Sequence, residues 1–337
     1  MDARDDIRLS LPSKGRLSDN AVQFLEACGL EIYKPNPRQY AASIPALPGV
    51  TVLFQRASDI VVGVRDGSVD LGITGLDITK EYGGQKGEIL VLHEALGFGH
   101  CRLAVAVPEA WEQVQTVADL QAVIPQLGHP LRVATKFTNL VGDFLETRGV
   151  DPFTLVHAEG TLEVAPAIGY ADCIADLVSS GQTLRDNRLR PLEDGVIVRS
   201  QAALIANRAA LRSRAEVLDV ARILLEFTEA HLRGQNHVMV VANMRADSEE
   251  ALARRLFAQE VLGGLQGPTI SPVMVRNGEQ TERWYAIQIV VQRDQLIQAI
   301  AELRAIGGSG VVVTPVTYLF EEEPDRYQAM MAAVQAQ

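Results

Sequence analysis

The sequence predicts a mixed α/β chain in which a two-lobed core is followed by a small ferredoxin-like domain, and three observations predict it. Strand-like apolar runs alternate with helical spacing from Ile7 to Arg190. The segment Gly67-Ser-Val-Asp70-Leu-Gly-Ile-Thr74-Gly75 is echoed by Gly169-Tyr-Ala-Asp172-Cys-Ile-Ala-Asp176-Leu, in each case a helix end, an aspartate and a buried strand. Such an echo suggests two similar lobes with a cleft between them. Past residue 235 the elements run βαββαβ.

The elements follow in order. A strand from Ile7 to Leu11 runs into Pro-Ser-Lys-Gly-Arg, after which Asp19 can cap a helix carrying Val22, Leu25 and Ala27 to Leu30. The same alternation recurs at Asp59 to Ile73, at Cys101 to Val107, at Arg132 to Thr135 leading into Phe137 to Arg148, and at Cys173 to Arg190. Residues 213–233 form an amphipathic helix with Val217, Val220, Leu224 and Phe227 at helical spacing, which Gly234 is placed to end. Beyond it come strand His237 to Met244, helix Ser248 to Leu262, strand Thr269 to Val275, turn Asn277-Gly278, strand Trp284 to Gln292, helix Asp294 to Ile306 and strand Gly310 to Leu319. The expected domains are a discontinuous first lobe (1–98 and 195–234), a second lobe (99–194), the ferredoxin-like domain (235–320) and a peripheral tail (321–337).

Composition removes several function classes. A net charge of −11 has the wrong sign for broad neutralisation of nucleic-acid phosphates, so no nucleic-acid partner is expected. Met1 to Asp6 carries three acids and one base, unlike a secretory signal, and no apolar run is long enough to span a membrane. Cys28, Cys101 and Cys173 are scattered, which argues against a disulfide framework and for a cytoplasmic protein. The six histidines show no pair at i and i+4, and no Gly-x-Ser-x-Gly elbow or Gly-x-Gly-x-x-Gly turn is present.

The chemistry concentrates after the strand that starts near Cys173. Asp176-Leu-Val-Ser179-Ser180-Gly181-Gln182-Thr183 opens a small-residue loop before a helix, offering backbone N–H groups and the hydroxyls of Ser179, Ser180 and Thr183 to a phosphate monoester. The bland alternative is a strand capped by an ordinary Ser-Gly turn. Asp176 is placed to accept hydrogen bonds from sugar hydroxyls, and Asp172 shares its strand face by period two. A second cluster, Lys14-Gly15-Arg16 with Arg56 and Arg65, sits at strand ends and could hold a diphosphate or triphosphate. Glu159 and Glu163 are candidates for polar contacts at the cleft or with Mg2+, or else a loop acid and a first-turn helix acid.

With these residues assembled, the chain resembles the ATP phosphoribosyltransferases, which open histidine biosynthesis, in the long form with a C-terminal regulatory domain. The resemblance spans about residues 7–320 and rests on Leu11-Pro-Ser-Lys-Gly-Arg-Leu-Ser18, Val69-Asp-Leu-Gly-Ile-Thr-Gly75, Arg132-Val-Ala-Thr-Lys136-Phe, Ala158-Glu-Gly-Thr-Leu-Glu-Val-Ala-Pro166, the phosphate loop and Gly267-Pro-Thr-Ile-Ser-Pro272. It implies a core of the periplasmic-binding-protein type with ATP and 5-phosphoribosyl 1-diphosphate in the cleft. It further implies Arg16 and Arg56 as leaving-group stabilisers, Asp176 as a ribose ligand and Ser179 to Thr183 as the 5-phosphate loop. Lys14, Gly15, Asp70, Thr74, Gly75, Glu159 and Asp172 complete the implied substrate-binding set. Mg2+ is expected on the diphosphate, with Glu163 as a candidate ligand, and a homo-oligomer between dimer and hexamer is expected. Histidine is the implied inhibitor, near Thr269 and Ser271. One departure stands out: Val240-Val-Ala-Asn-Met244 lacks the acid that histidine-inhibited members often carry on that strand.

Two other classes share parts of this pattern. A solute-binding protein has the two-lobed fold but needs no phosphate loop and is normally exported. An inactive regulatory paralogue should have lost Asp176, the loop or the Lys14-Gly15-Arg16 turn, and all three are present.

Overall fold

The computed structural model describes residues 6–36, 39–84, 86–158, 160–274 and 283–336. They form two compact units, Met1–Leu225 with Asp325–Gln337, and Glu226–Pro324.

The first unit holds two sheets. The chain passes through β1 (Ile7–Pro12), α1 (Gly15–Ala27), β2 (Ala41–Ser43), β3 (Val50–Gln55), α2 (Ala57–Arg65), β4 (Leu71–Gly75), α3 (Leu76–Tyr82) and β5 (Ile89–His93). It then crosses to β6 (Cys101–Pro108), α4 (Val117–Leu127), β7 (Leu131–Thr135), α5 (Thr138–Thr147), β8 (Phe153–His157), β9 (Cys173–Val178), α6 (Gln182–Asp186) and β10 (Leu189–Ser200). It returns through β11 (Ala202–Asn207), α7 (Arg208–Ser213) and α8 (Ala215–Gln235). Strand order is β2-β3-β1-β4-β11-β5 in the first lobe and β10-β6-β9-β7-β8 in the second.

In each lobe the central parallel strands are covered on both faces, so they read as continuous apolar runs rather than alternating ones. Every residue of β4 is buried, as is every residue of its antiparallel neighbour β11. On β9, Cys173 and Ala175 enter the core shared with α4 and α5, whereas Ile174 and Val178 enter a second core with Leu162, Ala165 and Leu184. Helix α4 starts on a capping box of Thr116 and Asp119 and ends at Gly128 in the left-handed region.

Several boundaries differ from the sequence expectation for identifiable reasons. Helix α1 begins at Gly15, not after Asp19, because the left-handed turn at Gly15 (φ 72°) takes the chain straight from β1 into the helix. The return crossing falls at Gln201 instead of near residue 195, because β10 keeps its ladder to β6 as far as Ser200 opposite Cys101. The tail expected to be peripheral carries α11 (Asp325–Gln335), which buries Met330 and Val334, and within this unit Arg326 pairs with Glu94 at 2.7 Å.

The second unit contains β12 (His237–Arg245), α9 (Glu249–Phe257), β13 (Thr269–Pro272), β14 (Trp284–Gln292), α10 (Leu296–Ala305) and β15 (Ser309–Pro315). Its order, β13-β14-β12-β15, is the antiparallel ferredoxin-like sheet. Val238, Val240, Ala242 and Met244 alternate inward and meet Ile287, Ile289, Leu252, Leu256, Ala299 and Leu303. Gly234 does not end α8. A Cβ there would lie 2.6 Å from the Thr317 carbonyl oxygen, so the glycine serves close backbone approach. The expected Asn277-Gly278 turn lies outside the described residues.

Candidate active site

Strand direction sets the site. Strands β1, β3 and β4 are parallel neighbours, so Lys14, Gly15 and Arg16, Arg56, and Thr74 and Gly75 follow or end strands at one carboxyl edge. In the second lobe β7, β8 and β9 are likewise parallel, which gathers Lys136, the loop after Val178 and the segment after His157 at another carboxyl edge. The crossing chain joins these edges directly: Ala202 pairs with Gly75, and Ser200 pairs with Cys101, whose neighbour Arg102 pairs with Val178. Both edges therefore border one cleft, the usual ligand position in open parallel sheets. A cavity there is lined from both lobes, by Leu76, Val178, Ser179, Ser200 and Gln201 among others.

At the first edge Lys14, Arg16 and Arg56 are exposed, and none makes an ion pair among the described residues. Thr74 is fully buried, and its hydroxyl donates to the Ala57 carbonyl at 3.3 Å, which ties β4 to the start of α2 beside Arg56. Gly75 is glycine because the Asp77 carboxylate occupies the space its Cβ would need. That carboxylate accepts from the Ser200 hydroxyl at 2.5 Å, and the same hydroxyl oxygen accepts from the Asp77 amide at 2.9 Å. Cys101, the cysteine nearest this junction, is pushed up to about 11 by burial and by the Asp77 charge, so it stays a thiol at neutral pH.

At the second edge Asp176 is raised to about 6, chiefly by burial and further by Glu163, against the Leu177 amide (2.7 Å) and Lys136, which favour its charge. Ser179, Ser180 and Thr183 are exposed on the loop, and Gly181 adopts a left-handed φ of 73° that a side chain would strain. Ser180 Oγ accepts from the Gln182 amide at 3.3 Å. The Gln182 side chain is taken by Asp186 (2.6 Å) and Arg185 (2.9 Å), so of the predicted loop residues it contributes backbone rather than side chain. Thr161, just before Glu163, sits in the left-handed region at φ 51°, a strained position for a β-branched residue. Glu159 lies outside the described residues.

Two predicted ligands stand elsewhere. Asp172 shares a strand face with Asp176, but four residues of strand separate the two by about 13 Å, which puts Asp172 at the opposite, amino edge. Its carboxylate accepts from the Arg132 amide and from the Arg132 guanidinium, both at 2.8 Å. Asp70 holds the matching place before β4, 1% exposed, with the Arg8 amide at 2.8 Å and Arg214 at 3.1 Å. Neither carboxylate faces the cleft. Thr269 and Ser271 are exposed on β13, the edge strand of the second unit.

Sequence reading missed Lys136 as a site residue and Glu81 as a positioning one. Lys136 directly follows β7, a signal that the strand-end argument used for Lys14 could have caught. Glu81, 5% exposed on α3, accepts from the Asn139 and Leu140 amides at 2.9 and 3.0 Å and so caps the α5 amino end from the other lobe. No local pattern announces such a contact.

Comparison with known proteins follows the same lines. Residues 56–227 match the model of the ATP phosphoribosyltransferase family, and residues 234–318 match that of the HisG C-terminal domain. The chloroplastic ATP phosphoribosyltransferase 2 of Arabidopsis thaliana is 47% identical over 334 residues, which cover 98% of this chain and 81% of that protein. An ATP phosphoribosyltransferase of Rhodopseudomonas palustris strain HaA2 is 33% identical over 329 residues, 96% of this chain and 97% of that one. The ATP phosphoribosyl transferase (HisG:HisZ) complex from Thermotoga maritima superposes with a TM-score of 0.52 at 23% identity, over 66% of this chain and 98% of that chain, a likeness of fold.

Proposed function

The chain belongs to the ATP phosphoribosyltransferase family, and from that membership we propose how its cleft divides the work of the reaction. The activity is transfer of the 5-phosphoribosyl group from phosphoribosyl diphosphate to N1 of ATP with release of diphosphate, the first step of histidine biosynthesis. The adenine N1 lone pair forms the new bond to the anomeric carbon as the bond to the diphosphate oxygen breaks, and the electron pair leaves with diphosphate. This displacement requires no enzyme nucleophile, which suits a cleft whose nearest cysteine stays protonated. Its residues act by aligning two substrates and by stabilising charge on the departing group.

One observation carries the assignment: the cations Lys14, Arg16 and Arg56, without an ion pair among the described residues, occupy one carboxyl edge, and Asp176 with its loop occupies the other, on the two sides of one short crossing. In this reading Ser179, Ser180, Gly181 and Thr183 hold the 5-phosphate. The Asp176 carboxylate accepts from ribose hydroxyls, and Arg16 and Arg56 meet the diphosphate with Lys14 as an added point charge. Thr74 and Gly75 shape the floor between them.

Magnesium is assigned to the diphosphate as part of the substrate, because that ion is commonly carried by substrate phosphates with most of its waters kept. The neighbouring carboxylates of Asp176 and Glu163 are oxygen donors of the kind that ion accepts beside substrate phosphates, where it would neutralise leaving-group charge.

The second unit is assigned to regulation by histidine and to self-association. Support comes from Thr269 and Ser271, whose hydroxyl-bearing residues lie on an edge strand where an amino acid and a second copy could both be met. β12 carries no acid, so in this reading the amino group of histidine is met by other groups than a β12 carboxylate. No helix among the described residues is long and apolar enough to cross a membrane.

The test is to incubate purified protein with ATP, phosphoribosyl diphosphate and Mg2+ and identify the products. Equal amounts of N1-phosphoribosyl-ATP and diphosphate are expected, with the rate falling on addition of millimolar histidine. Absence of product would sink the transfer, and a rate indifferent to histidine would sink the regulatory part alone.

A further inference from the structure

Arg102 and Arg199 stand directly opposite each other on the neighbouring strands β6 and β10, and Val178 of β9 completes the row. Alternation along β6 turns Arg102 to the face shared by Ala104 and Ala106, which pack with Ile174 and Val178. Asp176 lies between those two on β9 and faces the same way.

Like charges placed directly opposite each other on a sheet are destabilising. Here neither arginine side chain has an ion pair or hydrogen bond among the described residues. The Arg102 Nε is moreover buried without an acceptor, and an unmet charged donor out of water is costly. The pair borders a cavity with His100, Ser179, Gln201 and Glu94. Glu94, the acid on that wall, is committed to Arg326 at 2.7 and 3.2 Å. Two forked cations, one with a buried open donor, and the first serine of the phosphate loop thus converge on a single space without a counter-ion among the described residues.

We propose that Arg102 and Arg199 form a further anion subsite that holds a phosphate group of a polyphosphate chain, either the triphosphate tail of ATP or the departing diphosphate. The inference rests on the phosphoribosyl-transfer reading for the identity of the ligand and, for the existence of the site, on two facing arginines that have no partner among the described residues. Guanidinium forks match phosphate oxygens bidentately, which offsets both the repulsion of the pair and the open donor.

The experiment is calorimetric titration of the parent, Arg102→Gln and Arg199→Gln with inorganic diphosphate, ATP, AMP and ribose 5-phosphate. Either variant is expected to bind diphosphate or ATP at least about tenfold more weakly, with AMP and ribose 5-phosphate affinities unchanged. Weakening of ATP but not AMP identifies the triphosphate tail as the occupant, and weakening confined to diphosphate identifies the leaving group. Arg199 is exposed, so its substitution leaves the fold intact even if Arg102→Gln does not fold. Unchanged affinities for diphosphate and ATP in Arg199→Gln would overturn the subsite, as would equal loss of ribose 5-phosphate binding. Product formation by the parent enzyme is read separately, so failure of the transfer reading is distinguishable from failure of the subsite.

Discussion

Asp70 and Asp172 occupy the same position in the two lobes: each precedes a buried strand, and each accepts the backbone N–H of an arginine on the adjacent parallel strand at 2.8 Å. Each also returns the bond, the Asp70 amide donating to the Arg8 carbonyl and the Asp172 amide to the Arg132 carbonyl. The echo in the sequence is therefore a repeated structural device that locks the amino edge of each parallel ladder.

Substituting these carboxylates should cost stability and spare substrate binding. Asp70→Asn breaks a buried pair with Arg214 and should cost about 3 kcal/mol or more, and Asp172→Asn, whose partner is better hydrated, about 1 to 2 kcal/mol. Burial works against the Asp172 charge, but the Arg132 bonds outweigh it and hold the carboxyl below its ordinary range. Its contribution is thus present at neutral pH and fades as pH drops below about 4. Urea midpoints read the loss; a raised KM for either substrate at unchanged stability would return these residues to the site.

Glu81→Gln should loosen the joint between the lobes. The variant keeps one acceptor for the α5 amides but loses the charge at the helix amino end, and Glu81→Ala leaves two N–H groups unmet. Costs of about 1 kcal/mol and 2 to 3 kcal/mol respectively are expected. Thermal unfolding of both variants decides it, and equal, negligible shifts would show that the cap does not hold the lobes.

Asp176 is kept at the expense of stability. Its folded pKa is raised to about 6, so the folded state binds a proton more tightly than the unfolded chain, and stability falls as pH rises from about 4 through 6. Asp176→Asn should then be more stable than the parent at pH 7, by about 1 to 3 kcal/mol, with the advantage vanishing below pH 4. The parent's affinity for ribose 5-phosphate should weaken as pH falls through about 6, because the neutral acid accepts hydrogen bonds poorly. Denaturant titrations at pH 4 and 7 test the first part, and a pH-independent Asn effect would contradict it.

The legible part of this molecule was what short-range pattern carries. The strand-loop-helix around Asp176 and the βαββαβ order were readable because spacing and turn residues encode them locally. Asp172 lies away from the cleft because period two fixes the face of a strand and not which end lies at the cleft, and Asp70, implied by resemblance alone, holds the matching amino edge of the other lobe. Glu81, Ser200 and Arg199 were invisible as partners, since each meets a residue brought near only by the packing of two lobes or the pairing of distant strands.

Arg16→Ala and Arg56→Ala should slow the chemical step, because their charge is assigned to the place where the leaving diphosphate becomes more negative. Loss of one such donor typically costs about 100- to 1,000-fold in turnover. Single-turnover rates isolate the step, and a variant as fast as the parent would be excluded from leaving-group stabilisation.

The assignment of the phosphoribosyl group to Asp176 and its loop is tested most directly by steady-state kinetics of Asp176→Asn and Thr183→Val with each substrate varied in turn. Loss of a charge-assisted hydrogen bond should weaken use of phosphoribosyl diphosphate about tenfold or more in each variant while the KM for ATP stays close to the parent's. Unchanged parameters for phosphoribosyl diphosphate in both variants, or an equal rise for the two substrates, would contradict it.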